Sequence, residues 1–181
     1  KNQALQRITR RGELSTVAET VDGDPPEKFL GPNDLVMGDD NVVFLTDPGM
    51  DMNSPGQILR IELDSGAVSR LAYGYPFPNG ITISEDGRWL YVAESVTHQV
   101  LRFELLDGGR RLGPEEIFIQ FDDHHPDGIA LDAEGRLLVA RCGAGMLDVV
   151  APDGQLVTSI PAGGANCTNC VFGGEDFRTL Y

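Results

Sequence analysis

Three observations in the sequence predict an all-β fold, a β-propeller of four-stranded blades. A motif recurs at nearly constant spacing, turn residues fall in register with it, and no stretch carries a helical period. Asn33-Asp34-Leu35-Val36, Asn79-Gly80-Ile81-Thr82, Asp127-Gly128-Ile129-Ala130 and Asn169-Cys170-Val171-Phe172 each set an oxygen-bearing side chain ahead of short apolar alternation. Their spacings are 46, 48 and 42 residues. Repeats of about 40–50 residues carrying four strands are the size of propeller blades. A β-sandwich with fortuitous spacing is the competing architecture.

The elements follow in chain order. Lys1–Glu19 matches only the outer half of a unit, with a strand and turn over Arg7–Gly12. Val21–Pro32 is an insertion rich in Asp, Pro and Gly, and Pro48–Pro55 is a second one. Insertions on a rigid scaffold can border a substrate pocket or be tolerated surface loops. Within each unit the innermost strand runs into a turn at Gly38-Asp39-Asp40, Asp86-Gly87, Glu134-Gly135 or Gly173-Gly174, residues that accept the positive φ of tight hairpins. Second strands follow at Val42–Leu45, Trp89–Val92, Leu137–Ala140 and Leu180-Tyr181. Third strands begin at Gln57, Gln99 and Met146, and Ser65-Gly66, Gly108-Gly109 and Asp153-Gly154 turn each into a closing strand. Residues 1–181 thus read as one partial propeller domain, about three whole blades plus two partial ones. A chain that starts without Met and stops at Arg178-Thr179-Leu180-Tyr181, in mid-strand, is expected to be an incomplete fragment of a larger ring.

Composition narrows the partners. With 28 acidic against 14 basic residues the net charge is −14, which repels phosphate backbones and anionic headgroups, and no basic patch offsets it. Nucleic acid and membrane are excluded as partners on that ground, and the oligomeric state is not legible. Apolar stretches are far shorter than the ~20 residues of a transmembrane helix, and Lys1–Leu14 has no signal-peptide core. Three cysteines, an odd count, fit a reducing compartment, so the expected location is cytoplasmic.

Equal phase in a propeller means equal position under rotation. Asn33, Asn79 and Asp127 should therefore point from successive blades toward one mouth of the central channel. Two amide oxygens and a carboxylate converging there suit a hard divalent cation. The same residue types also cap strand starts, because they tolerate turn geometry and hydrogen-bond nearby backbone.

The ordered series Gly31-Pro32-Asn33-Asp34 leading into Phe44-Leu45-Thr46-Asp47-Pro48, Pro78-Asn79-Gly80-Ile81, Pro126-Asp127-Gly128-Ile129-Ala130-Leu131-Asp132-Ala133-Glu134-Gly135 and Thr168-Asn169-Cys170-Val171-Phe172-Gly173-Gly174 resembles the regucalcin (senescence marker protein)/gluconolactonase/luciferin-regenerating-like family. The resemblance implies a six-bladed ring with one divalent metal, Ca²⁺ first and Zn²⁺, Mg²⁺ or Mn²⁺ otherwise. It implies Asn79 and Asp127 as metal ligands with Asn33 on the metal or substrate side, and hydrolysis of a sugar lactone by activated water. Asp127 then serves as ligand and base together. The family's first-blade glutamate is not among these residues. Where many members carry an Arg before the Pro-Asn-Asp motif, Lys28 stands in the same stretch as a substrate-binding candidate without the bidentate fork. The alternatives are a non-catalytic calcium- or protein-binding propeller, and an arylesterase- or strictosidine-synthase-like enzyme.

Weaker candidates complete the reading. His124 and His125 precede the ring aspartate and read as exposed loop residues or proton carriers, His98 as a solvated turn residue, and Glu94 as a surface carboxylate or substrate contact. Asn169 is in phase but reads as structural. Cys167-x-x-Cys170 has redox spacing without the helix N-terminus that lowers a thiol pKa. Trp89, Phe44 and Tyr91 are expected to pack between blades.

Overall fold

The computed structural model describes residues 3–181; Lys1 and Asn2, the first two residues of the expected outer half-blade, lie outside the described residues. Among the described residues there is no helix. Three antiparallel four-stranded sheets succeed one another along the chain. The first holds β5 (Leu35–Met37), β6 (Val42–Asp47), β7 (Pro55–Glu62) and β8 (Val68–Pro76). The second holds β9 (Pro78–Ile83), β10 (Trp89–Glu94), β11 (Gln99–Leu106) and β12 (Arg111–Gln120). The third holds β13 (His125–Leu131), β14 (Leu137–Cys142), β15 (Met146–Val150) and β16 (Leu156–Pro161). Before them β1 (Leu5–Ile8) pairs with β2 (Leu14–Ala18), and after them β17 (Phe172–Gly173) pairs with β18 (Thr179–Leu180). This is a propeller whose ring is open.

The insertion Val21–Pro32 differs from a plain loop. Its start joins Thr20 in β3 (Thr20–Val21), which pairs with β4 (Glu27–Lys28) as a short hairpin. The Gly38 turn also differs in detail: positive φ falls on Asp40 (53°) and Asn41 (60°), residue types that tolerate the left-handed region.

The middle strands are buried on both faces, because each blade packs between two neighbours. Every residue of β6 is buried, and Leu59, Ile61, Leu90, Val92 and Leu101 are at most 1% exposed. Each such side chain contributes about 1.5–3 kcal/mol. Four apolar clusters fill the seams in turn: Leu5, Phe29 and Ile61 before the first full blade, Phe44, Ile81 and Phe103 between first and second, Tyr91, Phe118 and Val139 between second and third, and Leu138, Leu147 and Cys170 beyond. Phe44 and Tyr91 sit in this packing as expected, and Trp89 borders it.

At the inner rim the blades approach more closely than side chains allow. A Cβ on Gly80 would lie 2.2 Å from Asp127 O, and one on Gly128 would lie 2.1 Å from Asn169 Oδ1. Glycine is required at both positions, since contacts under about 3 Å are not adopted. Side-chain hydroxyls stitch the same seams, Thr46 Oγ1 donating to Asn79 O at 2.6 Å and Ser95 Oγ to Pro126 O at 2.8 Å.

Candidate active site at the channel mouth

The inner strands β5, β9, β13 and β17 lie side by side and line a cavity of about 600 Å³ whose walls include Asp34, Ile81, Ile129, Asn169 and Phe172; Asn79 and Asp127 lie nearer the strand starts, outside that lining. Asn79 is the second residue of β9 and is 6% exposed. Its Nδ2 donates to Ser95 Oγ at 3.1 Å, and that hydroxyl is fixed in turn by Pro126 O. With the nitrogen committed, the amide oxygen is the atom left for a ligand.

Asp127 lies within β13, half-buried, directly across the seam from Gly80. Burial raises its carboxyl above the usual range. The neighbouring Asn79 amide opposes the rise, the like charge of Asp34 adds to it, and His125 and the Gly128 N–H oppose it. Asp34 is itself raised by burial, although its carboxylate accepts the N–H groups of Leu35 at 2.8 Å and Ile81 at 3.2 Å. The structure therefore brings Asn79 and Asp127 together, with Asp34 and Ser95 beside them.

Asn33 is exposed, and its N–H donates to Thr46 O at 2.9 Å. Thr46 also bonds Asn79 O, so the starts of β5 and β9 are tied to one strand end. Lys28 lies exposed on the β3–β4 hairpin opposite Thr20, and among the described residues no hydrogen bond or ion pair joins it to Asn33, Asn79 or Asp127.

These donors fit a hard cation. One carboxylate and one oriented amide oxygen are the donor types that calcium accepts, and the Ser95 contact is the kind of outer support that orients a ligand. Among the described residues no group of three or more His, Cys, Asp or Glu side chains converges for a metal.

Two members of the constellation escape sequence reading. Asp34 shares phase with Gly80 and Gly128, and that contrast within the repeat was the available signal. Ser95 follows the end of β10 and carried none. Glu94 is a correction: it is 1% exposed rather than a surface carboxylate. It occupies the register of Asp47 and Arg141, and those two residues clamp the segments ahead of the inner strands. Asp47 accepts the N–H groups of Leu30 at 2.8 Å and Gly31 at 2.6 Å. Arg141 donates to Asp123 O and to Asp148 Oδ2, the latter at 2.7 Å. Among the described residues Glu94 Oε1 has no partner.

The remaining candidates are placed as follows. His125 opens β13, exposed, its Nδ1 hydrogen-bonding Ser95 O at 2.7 Å and its ring stacked edge-on against His98, 5.1 Å between centroids. His98 is thus half-buried, not fully solvated. Burial raises the thiols of Cys167 and Cys170, the latter to about 12, which opposes a redox role. Among the described residues no helix is long and apolar enough to cross a membrane.

Comparison with known proteins agrees with the propeller fold and gives the family. A 6-deoxy-6-sulfogluconolactonase of Pseudomonas putida is 32% identical over 129 residues, 70% of this chain and 44% of its own length. A gluconolactonase of Zymomonas mobilis is 30% identical over 182 residues, 89% of this chain and 50% of its own. The chain spans about half the length of these curated relatives. Among solved structures, a calcium-binding regucalcin from Agrobacterium tumefaciens superposes with a TM-score of 0.85 at 24% identity, covering 99% of this chain and 61% of that one. A gluconolactonase from Xanthomonas campestris does so at 0.84 with 26% identity and the same coverage. The sequence pattern of the SMP-30/Gluconolactonase/LRE-like region matches residues 2–181, from one end of the repeat to the other. With the propeller sheets and the inner-rim glycines in place, the chain belongs to the SMP-30/gluconolactonase/LRE-like family.

Proposed function

We propose that the channel mouth opens the cyclic ester of a sugar acid or related hydroxy acid in the presence of one divalent cation, calcium before zinc, magnesium or manganese. The observation that supports this most is the juxtaposition of Asp127 with the buried Asn79 amide, whose orientation Ser95 fixes. Asp127 and Asn79 hold the cation, with Asn33 as a further ligand or as a contact to substrate hydroxyls. When bound, the cation supplies Lewis-acid polarisation of the ester carbonyl.

The chain's own residues supply the proton path. Water adds to the carbonyl carbon while Asp127 takes its proton, the ring C–O bond breaks, and the proton passes to the departing alkoxide, leaving the open hydroxy acid. Neutral Asn79 leaves more of the cation's charge for the developing oxyanion. Lys28 offers an ammonium for polar substrate groups, without a guanidinium's two-pronged geometry.

A second reading, calcium binding without turnover, is favoured by the likeness to a structure described as a calcium-binding protein. One experiment separates the two. The intact protein is chelated, then assayed against a panel of aldonolactones with each cation restored. Metal-restored turnover that Asp127→Asn lowers by about 10²–10⁴-fold supports the hydrolase. Calcium binding with no lactone or ester cleaved under any combination overturns it.

A further inference from the structure

At the other end of the blades the turns of the first two full sheets enclose a second cavity of about 400 Å³, within the roughly 300–1,000 Å³ of small-molecule pockets. Val42 borders it, whereas Asp47, at the far end of the same strand, belongs to the channel-mouth side. At about 3.3 Å per residue the two ends are roughly 17 Å apart.

Arg60 lines this cavity, 5% exposed, across from Phe44 in the sheet. Its Nη1 donates to Glu62 Oε1 at 2.8 Å. Among the described residues its Nε is buried without a partner and no hydrogen bond engages Nη2. Those two nitrogens form the side-on edge of a guanidinium, built to meet two acceptors at once.

The next blade shows what normally satisfies that edge. Arg102 occupies the same register, opposite Tyr91 as Arg60 is opposite Phe44. Arg102 gives Nε and Nη2 to Glu116 at 3.2 and 2.6 Å, its cross-strand neighbour on β12. The neighbour of Arg60 on β8 is Ser69, too short to do the same. The first blade thus leaves the buried Nε of Arg60 without a partner and Nη2 unengaged beside it, and buried donors without partners are rare because they are costly.

The rim has the opposite character. Asp39 and Asp64 are exposed there, Asp64 Oδ1 accepting Asn41 Nδ2 at 2.6 Å, which leaves Oδ2 free. The hydrogen bond from Arg60 holds the Glu62 carboxyl below its usual range, so Glu62 stays charged. The lining carries four carboxylates, Asp40 being the fourth, and two guanidiniums with Arg110, so 2 − 4 gives a net charge of −2. A guest anion is repelled. A guest that offers lone pairs at the base and hydroxyl donors at the rim is matched.

We propose that this cavity is a second binding site, for a neutral polyhydroxylated molecule of sugar size whose oxygens accept from the Nε and Nη2 edge of Arg60 and whose hydroxyls donate to Asp39 and Asp64. The site is independent of the lactone reaction at the channel mouth.

The test titrates the intact protein with D-glucose, sorbitol, gluconate and calcium chloride separately, by calorimetry and ligand-observed NMR, in the Asp127→Asn background that silences the other end. The expected result is saturable binding of glucose or sorbitol, weakened roughly tenfold or more by Arg60→Met and several-fold by Asp64→Asn. In the protein with Asp127 intact, Arg60→Met leaves lactone turnover unchanged. Should Arg60→Met fail to fold, the exposed Asp64→Asn decides the matter. Absence of saturable polyol binding, gluconate or calcium binding that Arg60→Met or Asp64→Asn weakens, or polyol binding undiminished by the variants that fold would each overturn the proposal.

Discussion

Replacing Glu94 by glutamine should stabilise the protein at alkaline pH and leave it unchanged in acid. Glu94 is 1% exposed, Oε1 has no hydrogen-bond partner of good geometry among the described residues, and Oε2 accepts the Thr97 hydroxyl at 2.9 Å. Burial pushes its carboxyl from an ordinary 4.5 up to about 7; Thr97 and Gln99 restrain the rise and the charge of Glu115 adds to it. At about 1.36 kcal/mol per pH unit this rise is worth at most about 3 kcal/mol, and about 1–3 kcal/mol once water and side-chain relaxation reach the charge. The sign follows from proton uptake. Below pH 4.5 the carboxyl is protonated in folded and unfolded chains alike, and its contribution is complete. Between 4.5 and about 7 the unfolded chain ionises first, so stability falls as pH rises, and above about 7 the full penalty applies. Urea unfolding of wild type and Glu94→Gln, with chelator present so that cation binding does not contribute, measures the difference across this range. A wild-type deficit that grows by about 1–3 kcal/mol between roughly pH 4.5 and 8 is expected. A difference flat with pH, or one that shrinks as pH rises, would refute the reasoning.

Further outcomes follow from the same contacts. Ser95→Ala releases the Asn79 amide and Pro126 O together, and should weaken divalent-cation affinity about 10–100-fold by calorimetry without altering the fold. Arg141→Met strands Asp148, which is buried in an ion pair with 7% side-chain exposure on each side, and should cost about 3–5 kcal/mol in denaturant unfolding. The double change with Asp148→Leu should recover most of that loss. Gly128→Ala places a methyl against Asn169 and should lower stability by at least about 1–3 kcal/mol, because neither the rim backbone nor the next blade can withdraw freely.

The repeat was legible because its causes are local. The short apolar runs opening Val42–Asp47 and Leu137–Cys142, and positive φ at Gly87, Gly135 and Gly154, depend on residues within one hairpin. The same phase argument placed Asn79 and Asp127 on successive inner strands. It could not separate Asn33 from Asp34, because the two adjacent residues ahead of β5 present their side chains differently and only the adjoining blade decides which faces what. The β3–β4 hairpin was hidden for a related reason: two-residue strands leave no periodicity to detect.

By itself, then, the sequence determined the all-β repeat, the positions of its strands and turns, and the ring phase that aligns Asn79 with Asp127. Tertiary structure alone decided which polar groups those positions leave satisfied. Glu94, Asp47 and Arg141 share one register, yet two are paired and one keeps an orphan oxygen. Arg60 and Arg102 share another, yet a glutamate engages one edge and a serine leaves the other open. A backbone period is set by residues a few places apart, whereas the burial and pairing of a side chain depend on strands and blades that meet it only after the chain has folded.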